Sequence, residues 1–183
     1  MLFRSTAPFR PVARAMAVRL ARHCGELIHV AALDAGQVVY VDRIPGSRAV
    51  EVGASSVGST LPAHCSGVGK VLLAHLEPGQ IDAILDRHGL PRLTQQTICE
   101  RDALYAELHR VRRDGVAYDR EEVQKGLSCV AAPVIDGDGV VVAAMSVSAP
   151  TDRFLAGEAA YRSMIVQAAH RVSVQLRQAA PDV

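Results

Sequence analysis

Two turn signals constrain this chain more than any other feature. In "ELIHVAALDAGQVVYVDRI", residues 26–44, β-rich runs flank Asp34-Ala35-Gly36-Gln37, and Gly36 is free to take the positive φ that a tight hairpin turn demands. In "LSCVAAPVIDGDGVVVAAMSVSA", residues 127–149, Asp136-Gly137-Asp138-Gly139 joins two more such runs. Runs that double back through short turns pair antiparallel, whereas parallel neighbours need a crossover of about a dozen residues or more. The chain therefore reads as α+β, an antiparallel sheet with helices packed on it, and not as alternating βαβ units. "SRAVEV" at 47–52 adds a third strand to the first hairpin, and "GASSVGST" at 53–60 is a loop by composition.

Helix signals fill the remainder. Val12, Met16, Leu20 and Cys24 recur four apart, with alanines beside them, a solvated arginine face opposite and Gly25 as the stop. Residues 1–25 hold five arginines and no acid, as a transit peptide does, but an amphipathic helix accounts for the pattern more simply. "LPAHCSGVGKVLLAHL", residues 61–76, opens a helix ending near Leu76, and Pro78 suits the first turn of another reaching about His88. Thr97 with Glu100 forms a capping box for a third helix, whose inner face carries Leu104, Leu108 and Val111 and which Asp114-Gly115 ends. "GVAYDREEVQKG" is a charged, irregular crossing. A closing helix from about Gly157 to Ala179 turns Tyr161, Met164, Ile165, Ala168, Val172 and Leu176 inward. The expected order is helix, three strands, three helices, two or three strands, helix.

Composition excludes several classes. The 183 residues suffice for one core; with 49% hydrophobic and 21% charged residues and a formal charge of +1, nothing global argues for nucleic acid. Cys24, Cys65, Cys99 and Cys129 are scattered without CxxC, which fits a reducing, cytoplasmic location better than a disulfide framework. The most apolar run, "VVVAAMSV", is far shorter than the roughly 20 residues of a membrane helix.

Residues 61–76 hold the densest chemistry. A phosphate loop requires glycine, four residues, then Gly-Lys-Ser/Thr; here His64 stands at the first position and Val71 follows Lys70. A dinucleotide fingerprint fails at Leu72. Cys65 beside His64 is no nucleophile–base pair by adjacency alone, although His29, His75, His88 or His109 could serve as a base from elsewhere in the fold, none of them in a recognisable context. Metal spacing is absent, and only a folded site joining His64, Asp119 and Cys129 would supply ligands; no cofactor is expected. If Ser66 caps the helix, the amides of Gly67, Val68 and Gly69 are first-turn donors in a favourable dipole, suited to a small carboxylate. Equally, the glycines serve close packing. Ser146 and Ser148, two apart, share one face of an apolar strand and need partners there; Cys129 begins the pairing strand and Asp119 lies near the same sheet end. Two serines bonded to backbone and an exposed aspartate would explain them as well.

Taken together, "VGSTLPAHCSGVGKVLLAHL", "RRDGVAYDREEVQKGLSCVAAPVID" and "GVVVAAMSVSAPTDRF" resemble, in order and over roughly residues 10–178, the effector-binding domain of the isocitrate lyase regulator (IclR) family of bacterial transcription regulators. The resemblance implies a GAF-like α+β fold over residues 10–180, with 1–9 a tail. It implies a small-molecule effector, a keto, hydroxy or aromatic acid, and a homo-oligomer, dimer or tetramer. It also implies the site: Gly67 and Val68 holding the carboxylate, Asp119, Cys129, Ser146 and Ser148 as polar contacts, Leu61 and Leu127 as apolar wall. Operator DNA would be met by a winged helix-turn-helix domain of about seventy residues. No such motif precedes Pro11, so the chain reads as an isolated effector domain or a piece of a longer one. Gly53 would leave more room beside the effector than a bulky apolar residue. The readings that compete are a cysteine-dependent enzyme and a ligand-free oligomerisation module.

Overall fold

Both turns form. The computed structural model describes residues 8–50 and 56–179. Strands β1 (Leu27–Asp34) and β2 (Gln37–Ile44) meet at Ala35 and Gly36, with φ of 48° and 85°, the double left-handed turn whose twist matches that of the strands. The second hairpin pairs β5 (Leu127–Ile135) with β6 (Val141–Pro150). Its turn is held by the Asp136 carboxylate, which accepts from the amides of Asp138 (3.0 Å) and Val140 (2.9 Å). β6 also pairs with β1, so the hairpins lie side by side. β3 (Thr60–Pro62) adds outside β2 and β4 (Ala117–Arg120) outside β5, giving one antiparallel sheet of six strands ordered β3-β2-β1-β6-β5-β4.

The two faces are covered differently. Helices α1 (Phe9–Cys24) and α5 (Thr151–Ala179) bury Met16, Leu20, Phe154, Ile165 and Val172 against Ile28, Val30, Val130, Met145 and Val147. On the other face α2 (Gly67–Ala74) packs against the middle strands, backed by α3 (Pro78–His88) and α4 (Arg101–Asp114) through Leu73, Ile81, Leu85, Leu104 and Leu108. Gly25 and Gly115, at φ 75° and 70°, end α1 and α4 as their positions in the sequence require. The element order is the expected one.

Five local expectations change. Residues 47–50 form no strand, and 51–52, like Gly53, lie outside the described residues. Arg48 explains this: its amide donates to Gly25 O (2.7 Å) and its guanidinium to Cys24 O (2.7 Å) and to buried Glu26, so the segment is tied to the end of α1 and not to a ladder. The third strand is the short β3 instead. Thr97 does not cap α4, since its hydroxyl accepts from the amides of Leu93 and Thr94 and donates to Glu122 O at 2.7 Å; Glu100 holds the cap position. The charged crossing contains β4. α5 starts at Thr151, six residues early, because the chain turns directly out of β6. The arginine face of α1 is not simply solvated: Arg10 and Arg14 both reach the fully buried Asp42, while Arg19 and Arg22 stay exposed.

Candidate functional site

Strand register assembles a polar band. Asp119 lies opposite Cys129, Cys129 opposite Ser148, and Ser148 opposite Leu27; one step along, Ala131 faces Ser146 and Ser146 faces His29. Direct partners share a face and side chains alternate, so Asp119, Cys129, Ser148, Ser146 and His29 all project toward α2 from four adjacent strands. Each is buried. The apolar positions between and beside them are Ala31, Ala117, Ala131 and Ala144, small enough to bring α2 close.

The start of α2 stands over this band. Ser66 is extended (φ −109°, ψ 153°), and its hydroxyl accepts from Gly69 N at 3.0 Å, the expected cap. The cap consumes the Gly69 amide, leaving those of Gly67 and Val68. The close-packing reading of the glycines holds. A Cβ on Gly69 would lie 2.1 Å from Ala63 O, so that glycine is required for packing. A Cβ on Gly67 would lie 2.9 Å from the Cys129 sulfur, 3.3 Å from Ala131 Cβ and 3.4 Å from Ala117 O, so this glycine also packs closely on the band, with its amide aimed at the Cys129 sulfur. Leu61, on β3, packs in the cluster with Val68 and Tyr40, and Leu127 forms a separate small cluster with Leu27 and Ala49. The eight residues expected from the sequence therefore form a polar strip with its helix end, and an apolar cluster to either side.

Burial governs the electrostatics. It pushes the Asp119 carboxyl up to about 7 and the neighbouring Glu122 charge adds to this, against the amides of Glu122 (2.7 Å) and Val123 that donate to its Oδ1 and against the Lys70 charge. Lys70 is itself buried, bonded to Glu122 Oε1 at 2.5 Å and near Glu107 at 3.5 Å. Burial also pushes the Cys65 and Cys129 thiols up to about 12, although the amides of Gly67 and Asp119 aim at the Cys129 sulfur. A nucleophilic cysteine needs the opposite shift, so the cysteine-enzyme reading loses its chemical basis. His64 turns to Pro91 O at 3.1 Å, and among the described residues no cluster has the makings of a metal site.

Sequence reasoning considered His29 only as a candidate base for a cysteine, not as part of this band, and did not name Tyr40. The His29 ring sits 4.6 Å from that of Tyr40, and its Nδ1 lies 3.4 Å from Ser148 Oγ. The alternation Leu27, His29, Ala31 marks one face of β1, yet its neighbour β6 lies more than a hundred residues away, so no local signal joins His29 to the serines.

The family model for the bacterial transcriptional regulator IclR C-terminal domain matches residues 4–174. The HTH-type transcriptional regulator XynR of Escherichia coli K12 is 35% identical over 160 residues, 87% of this chain and 63% of its own length. The chain thus spans less than two thirds of that relative. The crystal structure of the C-terminal domain of the E. coli transcriptional regulator KdgR aligns at a TM-score of 0.82 with 35% identity, over 92% of this chain and 98% of that one. An IclR homolog from Microbacterium hydrocarbonoxydans, crystallised with 4-hydroxybenzoate, aligns at 0.85 with 26% identity, over 93% and 69%. Among the described residues no helix is long and apolar enough to cross a membrane.

Proposed function

The chain belongs to the family of bacterial transcriptional regulator IclR C-terminal domains, and from that premise we propose that the band beneath α2 is the sensor for a small carboxylic acid. The observation that carries this reading is the alignment of buried Asp119, Cys129, Ser146 and Ser148 on one sheet face under the first-turn amides of Gly67 and Val68. The helix end takes the carboxylate, where the dipole and unpaired donors favour an anion. Leu61 and Leu127 bound the apolar part. Asp119, raised toward neutrality by burial, is able to carry a proton beside the acid instead of repelling it, which removes the conflict of two anions at one helix end. The 4-hydroxybenzoate bound by a structural neighbour is consistent with a monocarboxylic effector.

In the intact regulator, occupancy of this site shifts the operator affinity of an attached winged helix-turn-helix domain. The protein works as a homodimer or homotetramer in the cytoplasm, and these residues make no DNA contact of their own. The test is a thermal-shift screen against small keto, hydroxy and aromatic acids. Cys129→Ala and Cys129→Ala with Gly67→Pro are run in parallel, the first substitution making room for the ring. Proline suits the first helical position and removes one donor. An acid at about a hundred times its Kd stabilises the fold by about 2.7 kcal/mol, which is readily seen. Stabilisation that survives Cys129→Ala and is lost on adding Gly67→Pro supports the helix-end anchor. No shift with any acid overturns the acid-sensing role.

A further inference from the structure

His29 is buried, 3% exposed, yet its Nε2 makes no hydrogen bond. Almost all buried polar groups are paired, and leaving one unpaired costs about 1–3 kcal/mol, so such an atom at a site marks a missing partner. Among the described residues the other buried side-chain atom of this kind is Glu122 Oε2, whose carboxylate is already engaged by Lys70 through Oε1. The His29 ring has no comparable excuse: Ser148 occupies Nδ1, Tyr40 lies against the ring, and Nε2 is left over. Burial, reinforced by the Arg43 charge, holds the imidazole well below its ordinary value, at about 3, so the ring is neutral, with one nitrogen a donor and the other an acceptor.

Resting on the acid-sensing reading above, we propose that His29 is a specificity-determining residue of that site, its Nε2 hydrogen-bonding a hydroxyl or keto oxygen carried by the effector away from its carboxylate. Distance gives the effector a minimum length. The amide of Gly67 stands over Cys129 on β5, and His29 is on β1, with β6 between. At the usual interstrand spacing the backbones of β5 and β1 lie about 10 Å apart across the sheet, a span that the His29 ring shortens by leaning toward Ser148 on β6. A two-carbon acid anchored at α2 leaves Nε2 unpaired, whereas a longer acid with a remote oxygen satisfies both ends. A neutral imidazole is no counter-ion, so His29 itself offers a second carboxylate a hydrogen bond and no opposite charge, and the Arg43 guanidinium is the nearest cation to it. The class selected is a monocarboxylic acid with a distal neutral oxygen.

Calorimetric titration with matched probes tests this: 4-hydroxybenzoate against benzoate, 4-oxopentanoate against pentanoate, terephthalate as a dicarboxylate, and glyoxylate and pyruvate as short acids. In the wild type, at least one oxygen-bearing acid binds at least about tenfold tighter than its matched partner, the discrimination of a site built around a hydrogen bond. His29→Phe brings that ratio to within about threefold while the oxygen-free acid keeps its affinity. An unchanged ratio in His29→Phe, equal binding of both members of each pair by the wild type, or preference for terephthalate overturns the role of His29 and leaves acid sensing intact. Binding of glyoxylate or pyruvate alone does the same. If no acid binds, both readings fall. Should His29→Phe not fold, nitrogen-15 spectra of the wild type decide: the Nε2 resonance, assigned with His29→Gln, moves with the oxygen-bearing acid and not with its partner, and a resonance that stays put in both rejects the contact.

Discussion

The two faces of the sheet are built from the same strands and to different rules. Toward α1 and α5, Ile28, Val30, Val130, Met145 and Val147 form a continuous apolar layer closed by Phe154, which meets Tyr118 edge-on at 6.4 Å and Tyr161 at 5.9 Å. Toward α2 the alternate residues of those strands are His29, Cys129, Ser146 and Ser148, spaced by alanines. One face maximises apolar burial, which stabilises the fold in proportion to area. The other accepts buried polar groups, which contribute little and cost heavily when unpaired. The period-two alternation of a strand is what lets one sequence carry a core and a site a few ångströms apart.

Phe154→Ala should break the first face with the largest effect. Truncating a fully buried aromatic ring costs about 3–5 kcal/mol, read as a lower urea midpoint with unchanged slope. A loss under about 1 kcal/mol would mean that the apolar face is not the main source of stability.

Asp119→Asn sharpens the comparison through pH. The wild-type carboxyl, ordinarily near 3.8, keeps its proton in the fold up to about 7, so below about pH 4 both folded and unfolded states are protonated. Between these values the unfolded chain releases the proton and the native one retains it; wild-type stability therefore falls as pH rises through the window. Asp119→Asn lacks this decline, and its Tm relative to wild type should climb from about pH 4.5 to 7.5 and then level. Glu122 and Lys70 act on this carboxyl, Glu107 pairs with Lys70, and all three are common to both proteins, so the difference isolates Asp119. Affinity for an anionic effector should weaken through about pH 7 in the wild type and stay flat in Asp119→Asn. A constant Tm difference would show that the carboxyl titrates normally.

The smallest stability effect belongs to Ser146→Ala, which deletes only a hydroxyl from the site face. Unfolding free energy should change by less than about 1 kcal/mol while affinity for whichever acid the screen identifies drops about tenfold, one hydrogen bond's worth. A stability loss as large as that of Phe154→Ala would erase the distinction between the faces.

Much of the fold was legible, and for local reasons. Gly25, Gly36 and Gly115 stop or turn the chain because they reach positive φ cheaply, and Ser66 caps α2 because its hydroxyl needs only an amide three residues on. The misread places depend on distant partners. Thr97 looked like a cap from its spacing to Glu100, but the carbonyl of Glu122 claims its hydroxyl from 25 residues away. "SRAVEV" looked like a strand from its alternation, yet Arg48 is bound to the end of α1 and to Glu26, which Arg153 and Tyr161 also engage.

By itself the sequence determined the order of helices and strands, the two hairpins and the polar positions on β5 and β6, since φ freedom, caps and periodicity act within a few residues. Tertiary structure alone decided that β1 lies beside β6. That pairing sets His29 against Ser148 across 119 positions and leaves Nε2 unpaired, while the packing of α2 over β4 at the other end of the band buries Asp119 deeply enough to hold its proton. Desolvation and the choice of partner belong to the packed state, and no local preference of the chain encodes them.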